Sequence, residues 1–250
     1  MDSLGIDIGG SGIKGAVVDT QTGELVAPRF RLQTPEKGRP KDITKVILRI
    51  IKHFNWDRPV GVGFPSVVIQ GIIKTAANID PSWIGINAEN LLQETSGIPV
   101  HVLNDADAAG IAEINFGAGR AQKNGLVIVV TLGTGIGTAI FSGGVLVRNA
   151  EFGHLKIRGK DAEIRASDAA RQKKKLSWKK WSARLSEYLQ EMEKLFWPDL
   201  FIIGGGISEE SERFFPYLKL RTKIVRAELL NQAGIVGAAV YAIDNIYLCK

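Results

Sequence analysis

Leu103-Asn104-Asp105-Ala106-Asp107 lies where two patterns of the chain meet. An apolar run over residues 100–103 precedes it and an alanine-rich pattern over residues 106–116 follows, so we predict a strand that leads directly into a helix. A carboxylate at such a junction can project into a cleft, beside a helix N-terminus that favours negative charge. Asn and Asp are also common helix caps, so this pattern alone fits a capping role as well as a functional one.

The composition bounds the class of protein. A chain of 250 residues can hold two modest domains, and its 45% hydrophobic and 23% charged content fits a globular protein. No apolar run approaches the roughly 18 residues of a membrane span, and the early acid of the amino end argues against a signal peptide. The only cysteine, Cys249, excludes an intramolecular disulfide. We expect a reduced, cytoplasmic protein with no membrane partner, whose net charge of +6 suits an anionic ligand.

The amino-terminal segment carries a first candidate phosphate loop. A strand over residues 4–8, interrupted by Asp7, runs into a glycine-dense turn and a second strand over residues 16–19. Dense glycines let backbone N–H groups approach a bound phosphate. The groups that would contact it are Gly9, Gly10, Ser11, Gly12 and Lys14. A tight hairpin without a ligand is the alternative, but it does not explain an acid inside the strand.

The segment that follows predicts a mixed sheet. Apolar residues recur at helical spacing from Ile43 to Phe54, with Asp42 as the N-cap, and residues 60–64 form a buried strand. Three strands, a helix and a strand in this order imply a mixed sheet crossed by a helix. A loop over residues 71–86 then supplies polar or amphipathic groups of the kind that sugar hydroxyls use. They are Asn78, Asp80, Trp83 and, just after the loop, Asn87.

Two further glycine-rich turns follow apolar strands. The strand over residues 125–130 leads into Thr131, Gly133, Thr134 and Gly135, and the strand over residues 200–203 leads into Gly204-Gly205-Gly206. The turn at residues 131–135 has the same order of features as the first loop: an apolar strand, a glycine turn with hydroxyl groups, and a second strand. This repetition predicts two similar halves that hold one phosphate chain.

Four motifs in order resemble those of the bacterial ROK sugar kinases, within the sugar kinase, actin and heat-shock chaperone superfamily. The motifs are Asp7-Ile8-Gly9-Gly10-Ser11, Asn104-Asp105-Ala106-Asp107, Thr131-Leu132-Gly133-Thr134-Gly135-Ile136-Gly137 and Glu151-Phe152-Gly153-His154. Within the family, the chain is most similar to the glucokinases that use polyphosphate. The resemblance covers essentially the whole chain.

The resemblance implies a ribonuclease H-like α/β fold with two domains, mixed sheets and an interdomain cleft. One domain would contain residues 1–103 and 232–250, the latter as a closely packed helix that returns to it, and the other residues 104–231. The phosphate donor would be held by both glycine loops, with the segment 204–206 beside it, and the sugar would lie near Asp105. A homodimer is expected from the family.

The resemblance also implies the roles of individual residues. Asp105 would be the general base that takes the proton of the sugar 6-hydroxyl, and Asp7 would organise Mg²⁺ through water. The sugar ligands would be Asn78, Asn104, Asp105, Glu151, His154 and Glu163. A lone histidine is more often part of a core, but a glutamate three residues before His154 favours a site. Phosphoryl transfer needs mainly positioning, charge neutralisation and one acceptor for the hydroxyl proton, which agrees with this set.

One departure separates the chain from typical members of the family. Those members follow the Glu-x-Gly-His element with a cysteine cluster that binds structural zinc, whereas residues 154–163 contain no cysteine. A zinc site of that type needs several thiolates, so we expect none here. The missing element, the short length and the placement of Gly12 and Lys14 match the polyphosphate-using branch.

The densest positive stretch spans residues 171–181. Its cations are Arg171, Lys173, Lys174, Lys175, Lys179 and Lys180. Such a run would attract polyphosphate in a salt-dependent way, although a solvated helix face and a nucleic-acid site are the alternatives. We favour polyphosphate and expect no nucleic-acid partner. Trp178 and Trp181 share a helix face and would fix the stretch to the body of the protein, on a helix that Pro198 ends.

The expected function is a glucokinase that transfers a phosphoryl group from polyphosphate to the 6-hydroxyl of glucose, with the use of ATP as a second donor left open. One alternative is a strictly ATP-dependent ROK hexokinase. The other is a non-catalytic sugar-binding regulator, which would normally need a DNA-binding domain ahead of the first glycine loop and would have no evident need for Asp105.

Overall fold

The computed structural model describes residues 1–248 and shows an α/β protein whose chain forms two compact units. Unit 1 contains Met1–Ala112 and the carboxyl-terminal segment from Gln232, and unit 2 contains Glu113–Asn231. Cys249, on which the disulfide argument depends, lies outside the described residues.

Unit 1 is built on a mixed five-stranded sheet. In chain order its strands are β1 (Asp2–Ile8), β2 (Ile13–Asp19), β3 (Phe30–Leu32), β4 (Val60–Phe64), β5 (Val68–Ile69), β6 (Ile72–Ile73) and β7 (Val100–Asn104). The sheet has the order β3-β2-β1-β4-β7, antiparallel from β3 to β1 and parallel from β1 to β7. The predicted mixed sheet is confirmed. The small hairpin of β5 and β6 was not predicted, because two-residue strands are too short to show alternation.

Three helices lie between or directly after the strands of unit 1, and the predicted cap of the first one is wrong. They are α1 (Pro40–His53), α2 (Ala88–Ser96) and α3 (Asp105–Asn115). The prediction that Asp42 caps α1 is wrong, because the helix already begins at Pro40 with Arg39 in the capping position. Proline suits the first helical position, since its fixed φ is helical and its missing N–H would be unpaired there anyway.

Unit 2 repeats the sheet topology of unit 1. Its strands are β8 (Leu126–Leu132), β9 (Ile136–Ser142), β10 (Val145–Val147), β11 (Lys156–Ile157), β12 (Lys160–Asp161), β13 (Leu200–Gly204) and β14 (Lys223–Arg226), and its helices are α4 (Ala162–Ala166), α5 (Asp168–Lys173) and α6 (Trp178–Phe196). The five-stranded sheet has the order β10-β9-β8-β13-β14, antiparallel from β10 to β8 and parallel from β8 to β14. The predicted similarity of two halves is therefore present in the strand order.

The core of unit 2 is organised around α6. Trp181 is fully buried and its Nε1 donates to the carbonyl oxygen of Ala166 at 2.9 Å. Trp178 lies beside it and stacks on Phe214, with ring centroids 6.1 Å apart. The predicted anchoring of the two tryptophans is confirmed, and the helix ends at Trp197 in the left-handed conformation just before Pro198.

A buried glutamate at the start of unit 2 accepts hydrogen bonds from the segment near its end in the sequence. Glu113 is 1% exposed, and its carboxylate accepts from the backbone N–H groups of Ala118, Glu228 and Leu229 at 3.0, 3.1 and 2.8 Å. Charge-assisted bonds of this kind offset the cost of burying a carboxylate. The segment after β14 is thereby held against the end of α3.

The last helix, α7 (Ala233–Leu248), packs on unit 1 through glycines. A Cβ at Gly5 would lie 1.9 Å from the Ile235 carbonyl oxygen, and one at Gly61 would lie 1.7 Å from that of Ala238. A Cβ at Gly237 would likewise lie 1.7 Å from the Ala108 carbonyl oxygen of α3. This packing explains why unit 1 extends to Ala112, past the predicted division after residue 103, and takes in most of α3.

Among residues 1–248, we find no helix that combines the length and the apolar character required to cross a membrane.

Two glycines of β4 give a matched test of this packing. Gly61→Ala should lower the melting temperature by roughly 5–10 °C, because overpacking against a carbonyl costs about 2–3 kcal/mol. Gly63→Ala is the control, since its Cβ would meet nothing closer than Ala108 Cβ at 3.6 Å. Calorimetry of both variants measures the difference, and equal melting temperatures would contradict the close contact.

Candidate functional site

At the junction of β7 and α3, a capping residue is followed directly by a half-buried acid. The Asn104 side chain is 6% exposed, and its Oδ1 accepts from the N–H groups of Ala106 and Asp107 at 2.9 and 3.0 Å. Asn104 therefore caps the helix. Asp105 occupies the first helical position, where its Oδ1 accepts from the Ala106 N–H at 2.9 Å. A negative charge is stabilised at a helix N-terminus, so this position suits an ionised carboxylate.

Ser66 connects this junction to the loop that carries Asn78. The Asn104 Nδ2 donates to the Ser66 carbonyl oxygen at 3.1 Å, and the Ser66 hydroxyl donates to the Thr75 carbonyl oxygen. The Val67 N–H donates to the Thr75 hydroxyl at 3.1 Å. The start of the loop is thereby held against the end of β7.

Asn78 and the first glycine loop face the same cavity in unit 1. The cavity has a volume of about 430 Å³, within the usual range for small-molecule sites. Its lining includes Gly9, Gly10, Thr34, Lys37 and Asn78. Backbone N–H groups, a hydroxyl, an amide and an ammonium are groups that bind hydroxyls or phosphates.

The other three polar candidates of that region have structural roles, and one of them, Asp80, also lines the cavity. Trp83 is fully buried, and its Nε1 donates to the Gly38 carbonyl oxygen at 2.9 Å, so it belongs to the core. Asp80 accepts from the Ser82 N–H, and Asn87 caps α2 by accepting from the Asn90 N–H. The sequence pattern could not distinguish these local caps from ligand contacts.

The first glycine loop is the turn of the β1–β2 hairpin, as predicted. Asp7 and Lys14 are cross-strand partners, with 3.6 Å between Oδ2 and Nζ. Arg31, which the sequence analysis missed, covers the loop and donates to the Ser11 carbonyl oxygen at 2.8 Å. A Cβ at Gly12 would lie 2.4 Å from the Arg31 Nε, so the missing side chain at Gly12 makes room for the guanidinium.

Asp7 has an environment that suits a nearby cation. Burial raises the pKa of its carboxyl group, and the adjacent Lys14 opposes the rise. A Cβ at Gly234, at the start of α7, would lie 2.9 Å from the Asp7 Cγ, so the carboxylate sits close to a helix N-terminus. Mg²⁺ is commonly held through one or two carboxylates together with substrate phosphates and water, and Asp7 fits that pattern.

The structure brings the second and third glycine segments together in unit 2. Gly204 is paired with Thr131 in adjacent parallel strands. Gly205 has a φ of 81°, and a Cβ there would lie 2.3 Å from the Leu132 carbonyl oxygen. Gly133 has open space around its Cβ position, so its backbone is accessible to a bound group. Thr134 and Gly135 complete the turn, in which the Gly133 N–H donates to the Gly135 carbonyl oxygen at 3.1 Å.

The three sugar-ligand candidates of unit 2 form one cluster. The His154 Nε2 lies 4.0 Å from the Glu151 Oε2, and its Nδ1 lies 3.9 Å from the Glu163 Oε1. Burial raises the pKa of the Glu151 carboxyl group, His154 lowers it and Glu163 raises it further. The cluster offers two carboxylates and an imidazole, a suitable set for several hydroxyls.

Asp161 belongs to the same cluster and was missed from the sequence. Its Oδ2 lies 3.2 Å from the His154 Nδ1, and its Oδ1 contacts the Lys156 ammonium. Ligand atoms of His154, Asp161 and Glu163 lie within 4.8 Å of one another, close enough for a metal ion. The ammonium on Asp161 already supplies a positive charge there, so we assign the three side chains to hydrogen bonding.

The basic stretch divides into structural and exposed cations. Arg171 is half-buried, donates to Asp168 at 2.9 Å and lies 4.2 Å over the Trp178 ring. Its charge is therefore largely used within the fold. The other five predicted cations are exposed, and they are Lys173, Lys174, Lys175, Lys179 and Lys180.

Three cations from elsewhere in the sequence lie near Lys174, and one of them, Arg165, is paired with Glu187. The pKa of the Lys174 ammonium is lowered, first by desolvation and then by nearby positive charges. Those charges belong to Arg184, Lys160, Arg165 and Lys173. Their proximity could not be read from the run of residues 171–181, because it depends on how α4 and α6 pack.

Comparisons with known proteins identify relatives along nearly the whole chain. The chain is 47% identical to a polyphosphate glucokinase of Mycobacterium tuberculosis, over 97% of the chain and 91% of the relative. It is 27% identical to a glucokinase of Streptomyces coelicolor, over 95% of the chain and 96% of the relative.

Solved structures show the same fold. An inorganic polyphosphate/ATP-glucomannokinase from Arthrobacter sp. strain KM superimposes with a TM-score of 0.94 at 46% identity, covering 98% of this chain and 99% of that one. A ROK family glucokinase from Streptomyces griseus, in complex with glucose and AMPPNP, gives a TM-score of 0.82 at 27% identity, covering 98% of this chain and 100% of that one.

These matches confirm the expected sugar kinase and actin-like α/β fold. The sequence profile of the ROK family matches residues 3–167. With two thirds of its length in that profile and close relatives along nearly all of it, the chain belongs to the ROK family.

Proposed function

We propose that this protein is a polyphosphate–glucose phosphotransferase, a glucokinase that forms glucose 6-phosphate. The observation that carries the proposal is the 47% identity to a polyphosphate glucokinase over nearly the whole chain. The solved relative that is named for both polyphosphate and ATP supports ATP as a second donor.

Asp105 is the general base in this proposal. Its carboxylate takes the proton of the glucose 6-hydroxyl as that oxygen forms a bond to the terminal phosphorus of the donor. The bond from that phosphorus to the bridging oxygen breaks, and the shortened polyphosphate leaves with the electron pair. The capped junction supports this role, because Asn104 orders the start of α3 around the acid.

The remaining sugar ligands in this proposal are Asn78, Asn104, Glu151, His154 and Glu163. These groups orient the sugar, which lowers the entropic part of the barrier. The mixture of acceptors and donors suits an acceptor with several hydroxyls.

The donor phosphates are bound by the glycine segments. The segments at residues 9–12, 133–135 and 204–206 supply backbone N–H groups, apart from those of Gly9 and Gly133, which donate within their own turns. The side chains of Ser11, Lys14, Thr131 and Thr134 add further donors. Phosphoryl transfer in such kinases uses a divalent metal ion, and we assign Mg²⁺, with Asp7 as the residue that would hold it through water. When bound, the ion neutralises charge on the transferring phosphoryl group.

The exposed lysines around α5 and the start of α6 bind the distal part of the polyanion. Lys160 and Arg184 lie near them and strengthen the positive field, whereas the charge of Arg165 is paired with Glu187. A field of one sign raises the local concentration of an oppositely charged substrate, and salt weakens it.

A side-by-side assay tests the overall proposal. Formation of glucose 6-phosphate is measured with Mg²⁺ and either long-chain polyphosphate or ATP at equal donor concentrations. We expect product from both donors, because the relatives include enzymes named for each. Product from ATP alone would support the strictly ATP-dependent alternative and contradict the assignment of polyphosphate as a donor.

The base assignment predicts the behaviour of Asp105→Asn. The amide cannot accept the hydroxyl proton, so kcat should fall by at least about 10²-fold while glucose still binds. Turnover and calorimetric glucose binding measure the two effects. Asp57→Asn, at an exposed position, is the control. Near-normal turnover of Asp105→Asn with glucose bound would show that another group is the base.

The exposed lysines proposed to bind polyphosphate should affect KM for that donor more than KM for ATP. Changing Lys173, Lys174, Lys179 and Lys180 to Gln should raise KM for long-chain polyphosphate roughly 10-fold at low salt, with little effect on KM for ATP.

A matched control removes the same charge elsewhere. Its four exposed lysines are Lys41, Lys45, Lys52 and Lys219, also changed to Gln. The control should leave both KM values close to those of the unchanged protein. An equal effect of the two quadruple variants on polyphosphate would mean that net charge, and not this surface, attracts the donor.

A further inference from the structure

A two-residue turn sets a carboxylate beside His154. Strands β11 and β12 form a hairpin in which Lys156 pairs with Asp161 and Ile157 with Lys160. The turn residues Arg158 and Gly159 have φ values of 51° and 75°. Positive φ at both central residues is the requirement of a type I′ turn, which matches the twist of the strands. The turn therefore fixes the register that places Asp161 directly opposite Lys156.

Asp161 contacts two partners with its two oxygens. The Oδ2 lies 3.2 Å from the His154 Nδ1, and the Oδ1 contacts the Lys156 ammonium. The other ring nitrogen, Nε2, lies on the side of Glu151, at 4.0 Å from its Oε2. One edge of the imidazole is thus engaged by the hairpin, and the opposite edge faces another proposed sugar ligand.

The carboxylate determines which ring nitrogen carries the proton. Hydrogen bonds from Lys156 and then from His154 hold the pKa of Asp161 below its usual range, so the group is ionised near neutral pH. An ionised carboxylate only accepts hydrogen bonds, so the His154 Nδ1 must donate. In a neutral imidazole, the Nε2 is then left as an acceptor.

We propose that Asp161 is a positioning residue that holds His154 as the Nδ1–H tautomer, so that Nε2 accepts a hydrogen bond from a hydroxyl of the acceptor sugar. This inference rests on the proposed function, in which glucose is the acceptor and His154 one of its ligands. Asp161 itself contacts neither the sugar nor the reacting atoms. Lys156 holds the carboxylate in place and keeps it ionised.

Asp161→Asn is the variant that tests the role. It preserves size, but an amide can donate as well as accept and no longer selects one tautomer. We expect KM for glucose to rise about 10-fold, the lower end of the effect usual for partners that orient a ligand side chain. Because the interaction concerns sugar binding, kcat and KM for polyphosphate should change by less than about 3-fold. Asp57→Asn is again the control.

A double-mutant cycle separates this inference from the proposed function. In the His154→Ala background, Asp161→Asn should have almost no further effect on KM, because its influence passes through the imidazole. Wild-type protein that forms no glucose 6-phosphate would refute the proposed function itself. An unchanged KM in His154→Ala would refute the sugar role of His154. A raised KM in His154→Ala with an unchanged KM in Asp161→Asn would overturn only the positioning role.

Nitrogen-15 NMR of the imidazole gives a readout that a purely structural role would not change. The chain has 3 histidines, so the His154→Ala spectrum identifies the resonances of His154. The spectra are recorded over a range of pH, and in the neutral form of the imidazole we expect a protonated Nδ1 and an unprotonated Nε2. Asp161→Asn should shift both resonances toward mixed tautomers while the melting temperature is preserved. Identical imidazole resonances in the two proteins would overturn the proposal.

Discussion

The backbone contact between α7 and the sheet of unit 1 is the constraint on which the amino-terminal site depends. Gly5 and Gly61 let the carbonyl oxygens of α7 approach the sheet far more closely than any side chain would allow. The start of the same helix then reaches Asp7, since Gly234 leaves no side chain between them. The docking of one helix thus sets both the packing of the unit and the electrostatic environment of the carboxylate.

The strand-to-helix junction shows how a structural role and a functional role divide between neighbours. The sequence left capping and catalysis as alternatives for one short motif. In the structure, Asn104 provides the cap and its amide also reaches Ser66, while Asp105 occupies the first helical position. A cap supplied by Asn104 is compatible with the proposed proton transfer to Asp105, so the two interpretations are complementary.

The sequence predicted features that depend on local pattern and missed those that depend on packing. The order of strands and helices along the chain, the three glycine segments and the tryptophan anchor follow from periodicity and turn chemistry, which are visible in one dimension. Three residues that the sequence analysis missed make contacts between different elements. Arg31 contacts the first glycine loop, Glu113 contacts the segment after β14, and Asp161 contacts His154. No spacing rule connects such partners. The same limit explains Trp83, whose burial depends on a contact with Gly38.

The hairpin of β11 and β12 also constrains how this segment can vary in length. Side chains alternate across a strand, so one extra residue in the turn at Arg158 and Gly159 would move the β12 side chains to the opposite face. Asp161 would then point away from both Lys156 and His154. Elsewhere, exposed loops tolerate insertions because only the entropy of loop closure changes. Here the number of turn residues is part of the site, so an engineered insertion at Arg158 or Gly159 would separate Asp161 from both partners.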